Sequence, residues 1–233
     1  LRGFGSKVFL VGSDYVYPRT SNVLARQYLL KKGGRVVGER YRPLAARDFD
    51  EIVEQIERSG CDFVLNTING ESLNHFFRAY QSAGIQPSKT PIMSLSLGES
   101  RAADLGDMAV GHYTTWGYFM ALNNPANRRF LKAFRHRYGE SRMVDDPCET
   151  AYWQVYAFAQ AVERVGDYSP TEVRRGLRAL ILDTPGGLVR FDPRNLYCWR
   201  TIRVGQSQPG GQMRVVWSTE VPLKPEPFPE FAP

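Results

Sequence analysis

Hydroxyls, amides and one carboxylate gather where apolar runs end in this chain. After KVFLVG come Ser13, Tyr15 and Tyr17; after DFVLN come Thr67, Asn69 and Gly70; after PIM come Ser94 and Ser96, with Glu99 close behind. Such a set does hydrogen-bond chemistry on a small polar ligand between aromatic walls. Each member also has a plainer reading. The tyrosines could cover a sheet edge, Asn69-Gly70 could be a turn opening a helix, and Ser96 could cap a strand end. Glu99 could answer the dipole of its own helix.

Signatures of bond-making chemistry are missing. The sequence has no GxxxxGK[ST], GxSxG, HExxH or EF-hand loop. Its three histidines, His75, His112 and His136, lie far apart with no carboxylate at ligand spacing. Its three cysteines, Cys61, Cys148 and Cys198, form no CxxC; an odd number cannot pair fully, and each is expected to fill a small apolar site. Gly3-Phe4-Gly5 precedes the first strand, the wrong order for a dinucleotide fingerprint. No catalytic residue, metal or cofactor is expected.

The elements that must position these residues follow from periodicity. Strands are expected to begin near Lys7, Arg35, Asp62 and Pro91, spaced by 28, 27 and 29 residues. Between them lie helix patterns: one capped by Thr20 or Ser21 and running to Lys32, one capped by Asp48 with Glu51 as capping-box partner, and one from about Glu71 to Ala83. Near-continuous apolar strands alternating with helices imply a parallel sheet buried on both faces. After Gly98 a short helix, Glu99–Leu105, leads to VGHYTTWGYF, where Tyr113 and Trp116 read as packing. Three helices follow, about 125–138, 149–165 and 170–180. Asp145-Asp146 read as caps of the middle one, whose Ala151, Val155, Phe158, Val162 and Val165 form an expected core stripe. Ser169 is the expected cap of the third, with Pro170 in its first turn. GGLVRFDP, WRTIRVG and MRVVWS then alternate like strands, and the last dozen residues are expected to lie extended on the surface.

The chain has 233 residues and a formal net charge of +6, and 42% of it is hydrophobic, enough for a sizeable core. Its basic residues are scattered over helix patterns without a run of five or six, so a solvated surface is favoured over nucleic-acid binding. No apolar run approaches the roughly 18 residues of a membrane span. The opening at Leu1, close to a strand, reads as a start removed by processing or design.

In order, FLVGSDYVYPRTSN, NTINGES, SLSLGES, GHYTTWGYF, DDPCETAYWQVYAFAQAVE and TPGGLVRFDPRN resemble the type I periplasmic-binding-protein family, and within it the urea- and short-chain-amide-binding branch. The resemblance runs over Val8–Pro225. It implies two α/β lobes joined by crossover strands, ligand held by hinge closure without chemistry, and an N-terminal lobe here lacking most of its sheet. Residues 1–112 would form the ligand-binding lobe of C-terminal type, 113–183 the crossover and helices of the incomplete lobe, and 184–233 the return and tail. It implies a substrate-binding component of an ABC-type uptake system for urea or short-chain amides, periplasmic or extracytoplasmic, with an ABC permease as partner. An amide-sensing regulatory protein, cytoplasmic and with a protein partner, is the alternative, and amino-acid ligands stay open. An amide hydrolase is the enzyme alternative, without an identifiable nucleophile–base pair. The resemblance carries a ligand role onto Tyr15, Tyr17 and Ser96, and places Asn69 in the cleft lining. Ser13, Thr67 and Glu99 complete the expected ligand-binding set.

Overall fold

A computed structural model describes residues 3–227 and Pro229. By backbone contacts the chain divides into two units, one holding the described residues up to Thr115 with Gln206–Gln212 and Pro229, the other Trp116–Gly205 and residues 213–227.

The first unit is built from β1 (Lys7–Ser13), α1 (Val16–Lys31), β2 (Arg35–Arg42), α2 (Asp50–Ser59), β3 (Phe63–Thr67), α3 (Ser72–Ser82), β4 (Ile92–Ser94), α4 (Glu99–Leu105) and β5 (Tyr113–Trp116). The strands lie in the order β5-β4-β3-β1-β2, parallel throughout. Alternation along β1 sends its side chains to two cores. Val8 and Leu10 pack with Leu29 of α1 and Phe63. On the other face Phe9 lies so close to Gly38 of β2 that a Cβ there would stand 2.3 Å from the Phe9 ring. Aromatic residues fill that side, with Phe76 edge-on to Phe49 and Phe77.

Several expectations change. β1 is buried nearly throughout, but β2 is half exposed, because it is the sheet's edge strand and has only one strand neighbour. α1 begins at Val16, not after Thr20 or Ser21: Tyr15 is its N-cap, without a side-chain cap bond, and Pro18 sits within the first turn, where its missing N–H costs nothing. Phe49 is the N-cap of α2; Asp48 accepts from the Asp50 amide at 3.3 Å, and Glu51 pairs with Arg42 instead of closing a capping box.

The second unit holds α5 (Pro125–Tyr138), α6 (Asp146–Val165) and α7 (Pro170–Leu177), then the antiparallel set β6 (Ile181–Thr184), β7 (Gly187–Phe191) and β8 (Cys198–Trp199). β9 (Arg203–Ser207) and β10 (Met213–Ser218) follow. Asn124 caps α5 by accepting from the Asn127 amide at 2.8 Å. Ser169 is the N-cap of α7 without a side-chain cap bond, and that helix ends at Leu177, short of Leu180, which turns into the β6 core. α6 begins at Asp146, three residues early, and it buries Trp153 and Ala157 against Leu182, Val189 and Phe191, while Ala161 is buried where Gly176 of α7 comes close to its backbone. The expected stripe is therefore the wrong one: Val155 is 68% and Phe158 51% exposed. Cys61 is buried as expected, Cys198 half-buried, and Cys148 exposed, so the last fills no apolar site. Phe228 and residues 230–233 of the proline-rich tail lie outside the described residues. Among the described residues no helix is long and apolar enough to cross a membrane.

Asp146, expected as a cap, instead faces Arg200. The Arg200 guanidinium donates to Asp146 at 3.2 Å, to Glu149 at 3.0 Å and to Thr150 at 3.1 Å. Fully buried Glu149 also accepts from the Gly186 amide at 2.8 Å and the Trp153 indole at 3.1 Å. Burial pushes the Glu149 carboxyl up, and Arg200 pulls it back. Gly117 makes room, since a Cβ there would stand 2.8 Å from the guanidinium carbon. Arg200→Leu is expected to cost about 3–5 kcal/mol by stranding a buried carboxylate, and adding Glu149→Gln should restore much of it. Guanidinium chloride unfolding of both variants checks this.

His112 sits under β4, accepting from the Ile92 amide through Nδ1 at 2.9 Å, with Phe77 and Tyr80 edge-on to its ring. Burial pushes its imidazole down to about 4. The fold thus holds it neutral while the unfolded chain takes up a proton near pH 6.5. Its contribution is complete above about pH 6.5 and is lost as pH falls toward about 4, by roughly 3 kcal/mol. Unfolding free energies measured from about pH 7 to about pH 4 should show this slope, and His112→Gln should flatten it.

Candidate functional site

Strand order 2-1-3 places a topological switch point between β1 and β3, whose following chains leave toward different neighbours. Gly12 pairs with Thr67 at the carboxyl ends. A Cβ on Gly12 would stand 2.5 Å from Thr67 Oγ1 and 2.8 Å from Pro18, so only glycine lets the ends approach.

Seven residues were expected here. Tyr15, Asn69 and Ser13 form one hydrogen-bonded group. The Asn69 amide N–H donates to Ser13 Oγ at 3.0 Å, and its side-chain Nδ2 donates to Tyr15 Oη and to the Thr67 carbonyl, each at 3.1 Å. Gly70 follows in the left-handed region at φ 68°, turning the chain into α3. Tyr17 stands beside Tyr15, ring centroids 6.2 Å apart, and its hydroxyl reaches the Leu95 carbonyl at 3.4 Å. Burial pushes the Tyr17 phenol above its usual range. Ser96 donates to the Ile68 carbonyl at 2.5 Å, tying the chain after β4 to the chain after β3. Ser13 and Thr67 are buried beneath this rim, and the Thr67 hydroxyl donates to the Val11 carbonyl at 3.1 Å. Glu99 is buried at the first turn of α4.

Two supporting residues escaped the sequence reading, Asn66 and Thr114, and Ser94 has a larger role than a strand end. Ser94 Oγ accepts from Asn66 Nδ2 at 2.9 Å, from the Ser96 amide at 3.1 Å and from the Leu97 amide at 3.0 Å. Asn66 Oδ1 returns a bond from the Ile68 amide at 2.9 Å, and Thr114 donates to the Leu97 carbonyl at 2.7 Å. All three are fully buried. A polar residue inside an otherwise apolar strand, as Asn66 is in FVLNT, was the available signal.

An open parallel sheet with hydrogen-bonding side chains gathered at its switch point is the arrangement in which α/β proteins place ligands. A model described as the periplasmic binding protein domain matches residues 1–233, and the chain belongs to the type I periplasmic binding protein family. The chain is 26% identical over 200 residues to Leu/Ile/Val-binding protein homolog 6 of Brucella abortus, covering 84% of this chain and 51% of that one. A match to limonene hydroxylase of Geobacillus stearothermophilus, 27% identical over 120 residues, covers 52% of this chain and 22% of that protein. The fold also matches an ABC-transporter solute-binding protein from R. palustris, solved with 4-hydroxybenzoate, at TM-score 0.83 and 21% identity, covering 94% of this chain and 61% of that one. The chain thus spans about half the length of that Brucella relative and three-fifths of that solved structure.

Ser94→Ala removes the acceptor of three buried N–H groups. It is expected to cost about 2–4 kcal/mol, against about 1 kcal/mol for half-buried Ser96→Ala, both read by guanidinium chloride unfolding.

Proposed function

We propose that this chain carries one jaw of a solute-binding protein that delivers urea or a short-chain amide to an ABC permease outside the cytoplasm. The observation that supports this reading is the neutrality of the hydrogen-bonded rim: Tyr15, Tyr17, Asn69 and Ser96, with Ser13 and Thr67 beneath, are all uncharged. A neutral ligand rich in N–H groups needs short hydrogen bonds and no counter-charge, because each buried polar group left unpaired costs about 1–3 kcal/mol. The tyrosine rings would shield those bonds from water. Glu99 would accept from ligand N–H groups if closure brings them to it. Closure of two lobes on the ligand would be the signal read by the permease.

No bond is made or broken in this scheme. Ser96 spends its proton on the Ile68 carbonyl and has no histidine in its hydrogen-bonded group. A competing ligand class comes from the relatives, one named for leucine, isoleucine and valine and one holding 4-hydroxybenzoate.

Titration calorimetry separates these readings. Urea and acetamide should bind saturably, at about 1 mM or weaker because one jaw leaves much of the ligand in water, while leucine and 4-hydroxybenzoate give no saturable heat. Tighter binding of leucine or 4-hydroxybenzoate than of both amides would refute the proposal. Ammonia release from urea or acetamide should stay at the buffer rate.

A further inference from the structure

The polarity of the rim is fixed in a way that neither residue type alone dictates. The Asn69 side-chain amide has two faces, and the Thr67 carbonyl 3.1 Å away can receive only its NH₂. Nδ2 therefore also faces Tyr15 Oη, at 3.1 Å. Both Nδ2 hydrogens are spent, one on each oxygen. Tyr15 is the acceptor in that bond, so its own hydrogen points elsewhere. Asn69 Oδ1 is left as an acceptor beside it. The Asn69 backbone is held as well, through Ser13 Oγ at 3.0 Å, so the side chain has little freedom to turn.

From this we infer that Asn69 is a positioning residue that sets Tyr15 as a hydrogen-bond donor and stands next to it as an acceptor, so that the pair reads the edge of a carboxamide. The ligand carbonyl would accept from Tyr15, and the adjacent ligand N–H would donate to Asn69 Oδ1. A carboxylate has acceptors at both places and would set one of them against Oδ1. An ammonium or amidinium has donors only and would oppose the Tyr15 hydrogen. Ser96 adds to the same polarity. Its proton is on the Ile68 carbonyl, so the 3.3 Å contact with Ser94 is donated by Ser94, and Ser96 can only accept from a ligand. This inference rests on the reading that these residues face the ligand, and it deepens that reading by naming how the site tells an amide from an acid.

The decisive variant is Asn69→Asp, nearly the same shape with the two donors removed. Aspartate has no hydrogen for the Thr67 carbonyl, so its carboxylate would turn away from that oxygen and accept from Tyr15, turning the phenol round so that only acceptors face outward. NMR titration of the chain with acetamide, acetate and acetamidinium, following the amides of residues 13–17 and 66–70, reads the outcome. Wild type should favour acetamide over acetate by tenfold or more. Asn69→Asp should lose acetamide about tenfold and gain acetamidinium, and Tyr15→Phe should lose acetamide without that gain. In ligand-free protein, Tyr15→Phe should shift the Asn69 side-chain NH₂ resonances, and no such shift would overturn the inference before any ligand is added. If wild type and Asn69→Asp bind acetamide equally well, the inference fails while the amide reading stands. If acetamide leaves those resonances unmoved in wild type, the ligand reading itself falls, and the inference with it.

Discussion

The candidate site depends on one parallel pairing, β1 against β3 in the register that sets Gly12 opposite Thr67. A one-residue slip would turn every β1 side chain to the other face. Leu10 would leave the α1 core, Phe9 would lose its seat over Gly38, and Ser13 would no longer meet the Asn69 amide. Burial enforces the register from both sides at once, because β1 is covered on two faces and tolerates no exchange of them. The site is thus a consequence of core packing carried to the strand ends. Its hydroxyls and amides stand where the backbone ladder stops and side chains must take over the unpaired N–H and C=O groups.

That takeover explains why the residues nearest the sheet are supports. Thr67, Ser94, Asn66 and Thr114 are buried and spend their polar atoms within the protein: Thr67 on the Val11 carbonyl of β1, Asn66 on Ser94 and the Ile68 amide, and Ser94 and Thr114 on the chain after β4. The half-buried residues one layer out, Tyr15, Asn69 and Ser96, keep unspent polar capacity after meeting their internal bonds. Rigidity comes from the inner layer, and chemical identity from the outer one. The same division holds in the second unit, where Glu149 and Asp146 spend their oxygens on Arg200 and the chain around Gly186, and organise α6 without facing solvent.

Much of the first unit was legible. Four apolar runs at near-constant spacing with helix patterns between them specify parallel βα units, and the strand ends mark where polar side chains collect. Three things were not legible, each for a physical reason. The exposure of β2 follows from strand order, which periodicity does not encode. The early start of α1 hides behind Pro18, which reads as a break yet sits within the first turn, where proline is tolerated. The roles of Asn66 and Thr114 depend on a loop from another strand arriving within hydrogen-bond distance, a long-range fact. For the site residues the sequence supplied types and places, but not polarity: that Asn69 donates to Tyr15, and not the reverse, is decided by the carbonyl of Thr67.

The helix α6 shows the limit of pattern most clearly. Its sequence carries two apolar stripes. One, Trp153, Ala157 and Ala161, is buried, the first two on the β6–β7–β8 set; the other, with Val155 and Phe158 and the neighbouring Tyr152 and Tyr156, is exposed. From Thr150 to Val162 the helix has no charged residue at all, so charge gives no hint of which face meets water. A stripe of the right period states that a face can be buried favourably; it cannot state what buries it. Trp153 settles the choice within this chain, because its indole must find an acceptor when buried, and Glu149 one turn earlier supplies it at 3.1 Å. The stripe whose hydrogen-bonding anchor finds its acceptor within the helix is the one that folds inward, and the stripe of Val155 and Phe158 is left outside.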